Sequence, residues 1–388
     1  MHYLELGGAE KALIGLLDAI DKDAYSVDLF LNQHTGAFLS MIPDKVNLLP
    51  EIPEYAALEQ PLSFVLRKGM WGAIYRKLKC NLALKRYLRK HPYCHSVASH
   101  IYMDNVIEDL PDLHFLGEYD LAISFLDPPH IVQDKVLSKK KIEWIHTDFK
   151  TINYDSDLTF SRWATNDYII SISEAITESF SSIFPKLKHK LKLIENIISP
   201  VTIYELAVTP INNENQTTNL FKICSIGRIN AESKNFKCIP EVASILTAKG
   251  LDFEWQIIGP GDSTSLQTLI KEYSVSEKVK VIGPRENPYP YIKSCNVYVQ
   301  PSIYEGKSIA VREAQILCKP VIITNYPTSS SQVVHNVDGL ICEMDTNSIA
   351  EAILDIANNP EKARDISDYL SCHDYGMMTE INKLYDLF

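Results

Sequence analysis

At 388 residues the chain is longer than one hydrophobic core usually serves, so we expect two domains. Its 46% hydrophobic and 22% charged residues are typical of an ordinary soluble globular protein. The net charge of −11 argues against a general nucleic-acid-binding protein, because phosphate contacts need a positive face.

The cysteines and the apolar segments predict a location. No Cys-x-x-Cys pair occurs among the eight cysteines, which are Cys80, Cys94, Cys224, Cys238, Cys295, Cys318, Cys342 and Cys372. They are typical of small buried hydrophobic residues in a reducing compartment. The sequence shows no signal peptide and no uninterrupted run of about 18 apolar residues. We therefore expect a cytoplasmic protein.

The chain begins with a glycine turn, Leu6-Gly-Gly-Ala-Glu10, that leads into an amphipathic helical pattern. Such a turn normally follows a buried strand, which is central in doubly wound folds. Either Met1–Leu6 forms a short strand, or about six residues, roughly the length of a strand, precede the recorded start. Gly7 and Gly8 would let the backbone approach a phosphate closely. The pair is not a full Gly-x-Gly-x-x-Gly motif, so a dinucleotide site is poorly supported.

Residues 62–92 combine positive charge with apolar residues near helical spacing. No acid occurs between Pro61 and Asp104, whereas the bases are Arg67, Lys68, Arg76, Lys77, Lys79, Lys85, Arg86, Arg89 and Lys90. The apolar residues are Leu62, Val65, Leu66, Ile74, Leu78, Leu82 and Leu88. An anionic membrane surface would attract such a helix by about 1 kcal/mol per basic residue near the lipid. A helical insertion that packs on its own domain, with a solvated basic face, explains the pattern equally well.

Apolar strand patterns alternate with helical patterns in both halves of the chain, which is typical of parallel sheets covered by helices. The first series of strands is Tyr25–Leu31, Val46–Leu49, Asp120–Phe125, Lys141–His146, Tyr168–Ser173 and Leu191–Asn196. The second is Lys222–Ile226, Glu254–Ile258, Lys278–Ile282, Asn296–Gln300, Val321–Thr324 and Gly339–Cys342. Asn196–Ile203 is the predicted hinge between the halves, and residues 212–219 form a polar loop.

Asp155-Ser-Asp157 matches the Asp-x-Asp pattern that can hold a divalent metal beside a nucleotide sugar. A tripeptide match is weak evidence, and these acids precede a predicted helix. Capping or first-turn roles explain them better. We expect no metal requirement.

Two cations follow the first strand of the second half. Arg228 lies in Ser225-Ile-Gly-Arg-Ile-Asn230, and Lys234 follows six positions later. Together they can neutralise a diphosphate, with the guanidinium as a fork and the ammonium as a point charge. A departing nucleoside diphosphate gains negative charge, so these groups would act most strongly in the transition state. The alternative is a pair of surface bases in a loop.

The stretch from Pro301 to Pro320 has a loop between a predicted strand and a helix over Ser308–Cys318. Ligands of open α/β sheets bind at such a place, where the amides at the start of a helix favour an anion. Glu305 and Glu313 flank the loop and can accept hydrogen bonds from sugar hydroxyls. The alternative is an ordinary strand, loop and helix with solvated glutamates.

These motifs together resemble those of retaining glycosyltransferases with the GT-B fold, family 4, also described as glycosyl transferases group 1. The resemblance rests on Gly-Gly-Ala-Glu near the start, on Arg228 and Lys234, and on two glutamates with seven residues between them. It covers nearly the whole chain and is close to enzymes of capsular and surface polysaccharide biosynthesis. Since family 4 enzymes typically have an apolar strand before Gly-Gly-Ala-Glu, it also favours a truncated start.

The resemblance implies an α/β GT-B fold in which two Rossmann-like domains face each other across a cleft. Residues 1–198 would bind the acceptor, residues 199–370 the nucleotide sugar, and residues 371–388 would form a helix that packs back on the first domain. It implies a hexosyltransferase that moves a sugar, with retention, from a nucleotide-sugar donor to a glycan or polyprenyl-linked acceptor. We expect no cofactor, no metal and no nucleic-acid partner, and a position at the inner face of the membrane.

The resemblance also implies roles for individual residues. Those that would act in catalysis are His146, Arg228, Lys234 and Glu305. The residues that would bind the donor are Gly7, Gly8, Arg228, Lys234, Pro284, Glu305, Gly306, Lys307, Ser308, Ile309 and Glu313. His146 would orient the transferred sugar together with Glu305, although a lone histidine at a strand end is more often structural. Glu313 would hold the ribose, and the loop at Pro284 would contact the nucleobase.

One departure from the family concerns the loop after Glu305-Gly306, where this chain has Lys307-Ser308 instead of the usual aromatic and small residue. It leaves the identity of the donor sugar open. Two other functions also stay open: a nucleotide-sugar epimerase on a similar scaffold, and a non-catalytic protein that binds sugar nucleotides.

Overall fold

The computed structural model describes residues 1–5, 7–91, 98–147, 149, 154–210 and 220–388. Leu6, Pro92, Cys94 and the predicted polar loop at 212–219 lie outside the described residues. The chain forms two compact units: Met1–Ile197 with Thr379–Phe388, and Ile198–Met378. It passes from the first unit to the second within the segment predicted as a hinge.

The first unit contains parallel strands at the predicted places. β1 (Val27–Leu29) pairs with β2 (Val46–Leu48). A second sheet has the order β3-β4-β5-β6, with strands Glu118–Ser124, Leu137–Ile145, Tyr168–Ser171 and Leu191–Leu193. Its central strands β4 and β5 bury mainly large apolar side chains, as in a parallel sheet with helices on both faces, but they also bury the polar Glu143 and Ser171.

Helices cover and connect these strands. They are α1 (Gly8–Ala19), α2 (Pro53–Glu59), α3 (Leu62–Arg67), α4 (Trp71–Lys90), α5 (Ala98–Val106), α6 (His130–Lys135), α7 (Ser156–Trp163) and α8 (Glu174–Ile183). None of the described helices in either unit combines the length and apolar content needed to cross a membrane.

The short strand expected at the start of the chain is not formed by the described residues 1–5. This segment instead makes backbone hydrogen bonds to the chain after β1. The amide of Leu4 donates to the carbonyl of Thr35 at 2.9 Å, and the amide of Phe38 donates to the carbonyl of Leu4 at 3.0 Å.

The described part of the basic segment, residues 62–91, contains two helices, which corrects the expectation of one basic amphipathic helix. The chain turns between α3 and α4 at Gly69, whose φ of +65° is a conformation that glycine adopts readily. The amide of Gly69 donates to the carbonyl of Leu66 at 3.1 Å and so closes the first helix. The apolar periodicity continues across this break, which explains why it suggested one helix.

The second unit is built on a parallel six-stranded sheet with the order β12-β11-β10-β7-β8-β9. Its strands are β7 (Phe221–Ile226), β8 (Phe253–Ile258), β9 (Val279–Gly283), β10 (Val297–Gln300), β11 (Val321–Thr324) and β12 (Leu340–Cys342). Each lies at its predicted place. The helices are α9 (Pro200–Ala207), α10 (Ile239–Ala248), α11 (Thr264–Glu272), α12 (Tyr289–Ser294), α13 (Ile309–Ile316), α14 (Thr346–Asn358) and α15 (Pro360–Ser371).

The strand order creates a switch point between β7 and β10. From β7 the chain proceeds outward through β8 and β9, and then returns to the other side of β7 to form β10. The connections that follow β7 and β10 therefore leave the sheet in opposite directions and open a crevice at its carboxyl edge. In open α/β sheets, ligands bind in such a crevice.

The last ten residues belong to the first unit and contain α16 (Ile381–Tyr385). The Tyr385 hydroxyl accepts a hydrogen bond from the amide of Asp21 at 2.7 Å, and its ring stacks on Tyr25. This segment starts at Thr379 rather than at Ser371. The preceding residues stay with the second unit, where the Tyr375 hydroxyl is buried and donates to Asp338 at 2.8 Å.

Candidate functional site

The loops at the carboxyl edge of the second sheet are joined to one another through their backbones. The amide of Gly227 donates to the carbonyl of Ile258, and that of Gly259 to Gly283, both at 3.0 Å. Gly259 has a φ of +147°, and a Cβ there would lie 2.0 Å from the carbonyl oxygen of Gly227. Glycine is therefore required at this position. These hydrogen bonds fix the loops after β7, β8 and β9 relative to one another.

The two predicted cations stand in the loop after β7. Arg228 is exposed, and its side chain makes no ion pair or hydrogen bond with any residue that the structure describes. Lys234 ends a 3-10 turn, and its Nζ lies 2.6 Å from Oε1 of Glu305. Its aliphatic stem passes over Gly227, where an added Cβ would meet it at 3.2–3.3 Å. One cation is thus free to bind an anion, and the other is held in place.

Glu305 connects the loop after β7 to the loop after β10 through hydrogen bonds of its carboxylate. Only 9% of the residue is exposed, and Oε1 accepts hydrogen bonds from Lys234 at 2.6 Å and from Ser302 Oγ at 2.7 Å. The buried amide of Gln300 donates to Ser302, and the Tyr298 hydroxyl donates to Gln300. The carboxylate is therefore positioned by a polar chain that begins inside β10.

The start of α13 is clamped by Gln332, a residue that the sequence did not predict. The amide of Ser308 donates to Gln332 Oε1 at 3.0 Å, and Gln332 Nε2 donates to the carbonyl of Ser308 at 2.6 Å. Gly306 and Lys307 form the loop just before this residue, and Ile309 begins the helix. The first-turn amides of a helix have no partner within it, so they present positive ends to the crevice.

Glu313 is completely buried on α13, although the sequence predicts that it contacts ligand. Its Oε1 accepts a hydrogen bond from the Tyr289 hydroxyl at 3.0 Å. Burial and the nearby carboxylate raise the pKa of Tyr289 far above its ordinary value. Tyr289 begins α12, and the preceding loop carries the exposed Pro284 after β9. A hydrogen bond thus connects the predicted base-contacting loop to Glu313.

The two predicted glycines lie in the first unit, at the start of α1. Gly7 is the residue before the helix, and a Cβ there would approach Oε2 of Glu10 to 2.1 Å. Burial raises the pKa of Glu10. The Glu10 carboxylate therefore lies where a side chain at Gly7 would point, in the space where the sequence suggested a phosphate. The approach of a phosphate to Gly7 and Gly8 stays a prediction.

His146 also lies in the first unit, directly after β4. Its ring packs against Phe125 with the centroids 4.7 Å apart, and its buried Nε2 has no hydrogen-bond partner among the residues that the structure describes. Burial lowers the pKa of His146 to about 4, although a hydrogen bond with the backbone of Phe125 opposes the shift. The ring is therefore neutral at physiological pH. A neutral imidazole has one nitrogen that donates a hydrogen bond and one that accepts.

A further charged cluster in the first unit was not predicted. Asp104 is held by His130 at 3.0 Å and by Arg162, while His100 contacts Asp127 at 2.5 Å. Burial alone would raise the pKa of Asp104, but the hydrogen bonds from His130 and Arg162 lower it to about 2. These residues come from elements far apart in sequence, so no local sequence motif predicts the cluster.

Asp155 caps α7, which confirms the structural interpretation of Asp-x-Asp. Its Oδ1 accepts hydrogen bonds from the amides of Asp157 and Leu158, both at 3.0 Å. Within the described ranges, no group of three or more His, Cys, Asp or Glu side chains is arranged to hold a metal ion.

The structure therefore brings Lys234 and Glu305 into direct contact, places Arg228 in the same loop as Lys234, and puts Ser308 and Ile309 on the adjoining helix. Glu313 lies within that helix under Tyr289. Gly7, Gly8 and His146 belong to the other unit. Tyr289, Ser302 and Gln332 support the site but carry no motif of their own, because each reaches it only through tertiary packing.

Comparisons with known proteins show what the chain is similar to. Residues 210–370 match the family model described as glycosyl transferases group 1. An uncharacterized glycosyltransferase of Haemophilus influenzae is 26% identical over 97% of this chain and 95% of its own length. An N-acetylgalactosaminyltransferase of Campylobacter jejuni, which acts on a diphospho-undecaprenol acceptor, is 27% identical over 45% of each chain.

Among solved structures, HepE of Anabaena in complex with UDP-glucose aligns with a TM-score of 0.64 and 15% identity. The alignment covers 100% of this chain and 98% of HepE. At this level of identity the similarity shows the fold, and it agrees with two units built on parallel sheets. The chain is a glycosyltransferase with the GT-B fold.

Proposed function

We propose that this glycosyltransferase resembles family 4 enzymes and transfers a sugar, with retention, from a nucleotide-sugar donor to a glycan or polyprenyl-linked acceptor. The observation that carries the proposal is the arrangement at the switch point of the second sheet. There the paired Lys234 and Glu305 adjoin Arg228, which is exposed and has no ion-pair partner in the described part of the chain. Positive charge and a sugar-binding carboxylate at one sheet edge suit a sugar attached to a diphosphate.

The donor diphosphate is held by Arg228, Lys234 and the start of α13. The guanidinium binds two phosphate oxygens as a fork, and the ammonium has three donors, of which Glu305 occupies one. The first-turn amides of α13 add favourable partial charge. Each contact strengthens as the phosphate oxygen gains charge during departure, so these groups lower the barrier to transfer.

The sugar and the ribose are held by carboxylates. Glu305 accepts hydrogen bonds from sugar hydroxyls, and the neutral His146 orients the same sugar from the first unit. Glu313 accepts from the ribose once the Tyr289 hydroxyl, which now lies 3.0 Å from it, moves aside. Gly7 and Gly8 allow close approach of the donor once the Glu10 carboxylate, which now lies beside Gly7, moves aside. The loop at Pro284 contacts the nucleobase.

In the reaction, the acceptor hydroxyl oxygen bonds to the anomeric carbon on the face from which the diphosphate departs. The bond from that carbon to the phosphate oxygen breaks, and its electron pair stays with the nucleoside diphosphate. The proton of the acceptor hydroxyl passes to the departing phosphate oxygen. The configuration at the anomeric carbon is retained, and the chain supplies neither a nucleophile nor a metal.

The relatives support the choice of substrates. The Campylobacter relative is named for transfer to a diphospho-undecaprenol acceptor, and a relative of Erwinia amylovora is named for amylovoran biosynthesis. HepE is described in complex with UDP-glucose. We therefore place this enzyme in surface polysaccharide assembly, in the cytoplasm at the inner face of the membrane.

The proposal is tested by following hydrolysis and transfer with a panel of labelled nucleotide sugars. Arg228→Ala should lower kcat/KM by roughly 10²–10³, because it removes one charge that stabilises the leaving group. Arg364→Ala, which removes an exposed arginine on α15, is the matched control and should leave turnover unchanged. Unimpaired turnover of Arg228→Ala refutes the site.

Analysis of the products separates the remaining possibilities. Proton NMR of the glycoside should show the donor's anomeric configuration, whereas inversion contradicts the retaining mechanism. An altered nucleotide sugar formed without acceptor would identify an epimerase. Activity should also survive dialysis against EDTA, and its loss would contradict the metal-free reaction.

A further inference from the structure

The outer face of α4 carries an apolar row that the described residues of its own unit leave exposed. Four large side chains stand exposed at Trp71 (77%), Tyr75 (64%), Leu78 (54%) and Leu82 (51%). Their spacing of four, three and four residues places them on one side of the helix. We call these four residues the α4 stripe. A row of this kind on a water-facing helix indicates a binding surface.

The opposite face of α4 already holds the helix on the first unit. Ala73, Ile74 and Cys80 are buried, and Lys77 Nζ donates to the carbonyl of Leu58 at 2.9 Å. Lys79 contacts Asp109 at 3.3 Å from the side of the helix. Packing within the domain therefore explains the inner face and these two lysines, but it does not explain the α4 stripe.

Positive charge extends the α4 stripe at both ends. Lys85, Arg86 and Arg89 continue the same side of the helix, and Arg67 and Lys68 end the preceding helix beside the exposed Leu66. These five cations are exposed and form no ion pair with an acid in the part of the chain that the structure describes. The sequence has no acid between Pro61 and Asp104, although the chain as a whole is acidic.

We propose that the α4 stripe and its flanking cations bind the surface of an anionic lipid bilayer. Amphipathic helices that lie in a membrane interface combine aromatic and leucine side chains with Lys and Arg in this way. The aromatic rings enter the headgroup region, and the cations contact lipid phosphates. The surface would hold the proposed enzyme where polyprenyl-linked acceptors lie, but lipid binding itself requires no sugar transfer.

Trp71 makes this proposal directly measurable. The chain has four tryptophans, and Trp144, Trp163 and Trp255 are all at most 2% exposed. Vesicles that contain brominated acyl chains should therefore quench Trp71 alone. We expect partial quenching and a blue shift with vesicles of equal parts phosphatidylglycerol and brominated phosphatidylcholine, and neither change with Trp71→Phe.

Co-sedimentation with phosphatidylglycerol–phosphatidylcholine vesicles measures the two contributions separately. Arg86→Gln with Arg89→Gln should weaken partitioning about 25-fold at low salt, since each cation contributes about fivefold. Trp71→Ser with Leu78→Ser should weaken it at least about tenfold. The matched controls in the same unit are Lys186→Gln with Lys188→Gln, and Phe115→Ser at a side chain that is 73% exposed; both should bind like the wild type.

The quenching and co-sedimentation experiments measure lipid binding directly, so their outcome does not depend on the proposed enzyme activity. Every substituted residue is exposed, circular dichroism verifies folding, and transfer to a water-soluble acceptor should stay unchanged. Absence of vesicle binding, equal binding to pure phosphatidylcholine, or equal losses in the control variants would overturn the proposal. So would self-association through the α4 stripe without lipid binding, as detected by sedimentation velocity.

Discussion

Because Lys234 and Glu305 form an ion pair, substitutions at these two residues should have strongly non-additive effects on the free energy of unfolding. Nζ and Oε1 are 2.6 Å apart, and the side chains are only 21% and 10% exposed. In Lys234→Met the carboxylate loses its cation while it stays largely shielded from water, so the free energy of unfolding should fall by roughly 2–3 kcal/mol. Glu305→Gln should cost roughly 1 kcal/mol, because the amide oxygen can still accept the hydrogen bond from Ser302.

A double-mutant cycle measured by urea denaturation isolates this coupling. The double variant should be less destabilised than the sum of the single variants, with a coupling energy of roughly 1–2 kcal/mol. Lys278 and Asp252 form a matched control pair in the same unit, with side chains 29% and 70% exposed. Its coupling should stay below about 1 kcal/mol, because solvent screens exposed pairs. Equal coupling in both pairs would refute the argument that burial makes Lys234 and Glu305 a fixed unit.

Three further predictions concern single residues. Arg228→Gln should change the free energy of unfolding by less than about 0.5 kcal/mol, since the exposed side chain has no partner among the described residues. The same change should weaken nucleoside diphosphate binding at least tenfold, as measured by calorimetry. Tyr289→Phe should destabilise the second unit by roughly 1–3 kcal/mol, because the buried Glu313 carboxylate loses a donor; Tyr273→Phe, at a tyrosine 38% exposed, is the control and should have little effect. The third prediction concerns pH: since the pKa of His146 is about 4 when folded and about 6.5 when unfolded, the unfolded chain binds more protons between these values. Stability should therefore fall by up to roughly 3 kcal/mol as the pH drops from 7 to 4, and the fall should be smaller in His146→Phe.

The sheets could be predicted because their strands are short apolar runs buried on both faces. Buried strand residues such as Ile223 and Val299 are apolar, and these apolar runs are the pattern from which the strands were predicted. The break at Gly69 was missed because the apolar spacing continues through it. The backbone pairing of residues 1–5 with the segment after β1 was also missed, since it depends on contacts between segments that carry no strand pattern.

The sequence predicts which residues belong to the site more readily than it predicts the contacts between their side chains. Arg228, Lys234 and Glu305 follow strands, and strand ends of a parallel sheet share one edge. Their pairing depends on the strand order, which places β10 beside β7 and which spacing along the chain does not specify. The burial of Glu313 under Tyr289 and the clamp by Gln332 arise from packing between distant segments, so neither has a local sequence signal.

The central claim is that the second unit holds the donor at the switch point of its sheet. A crystal structure of the protein with a bound nucleoside diphosphate tests this most directly. We expect the diphosphate on Arg228 and Lys234, in front of the first-turn amides of α13. Density for the diphosphate elsewhere on the second unit, with Arg228 and Lys234 left free of it, would contradict this placement of the donor.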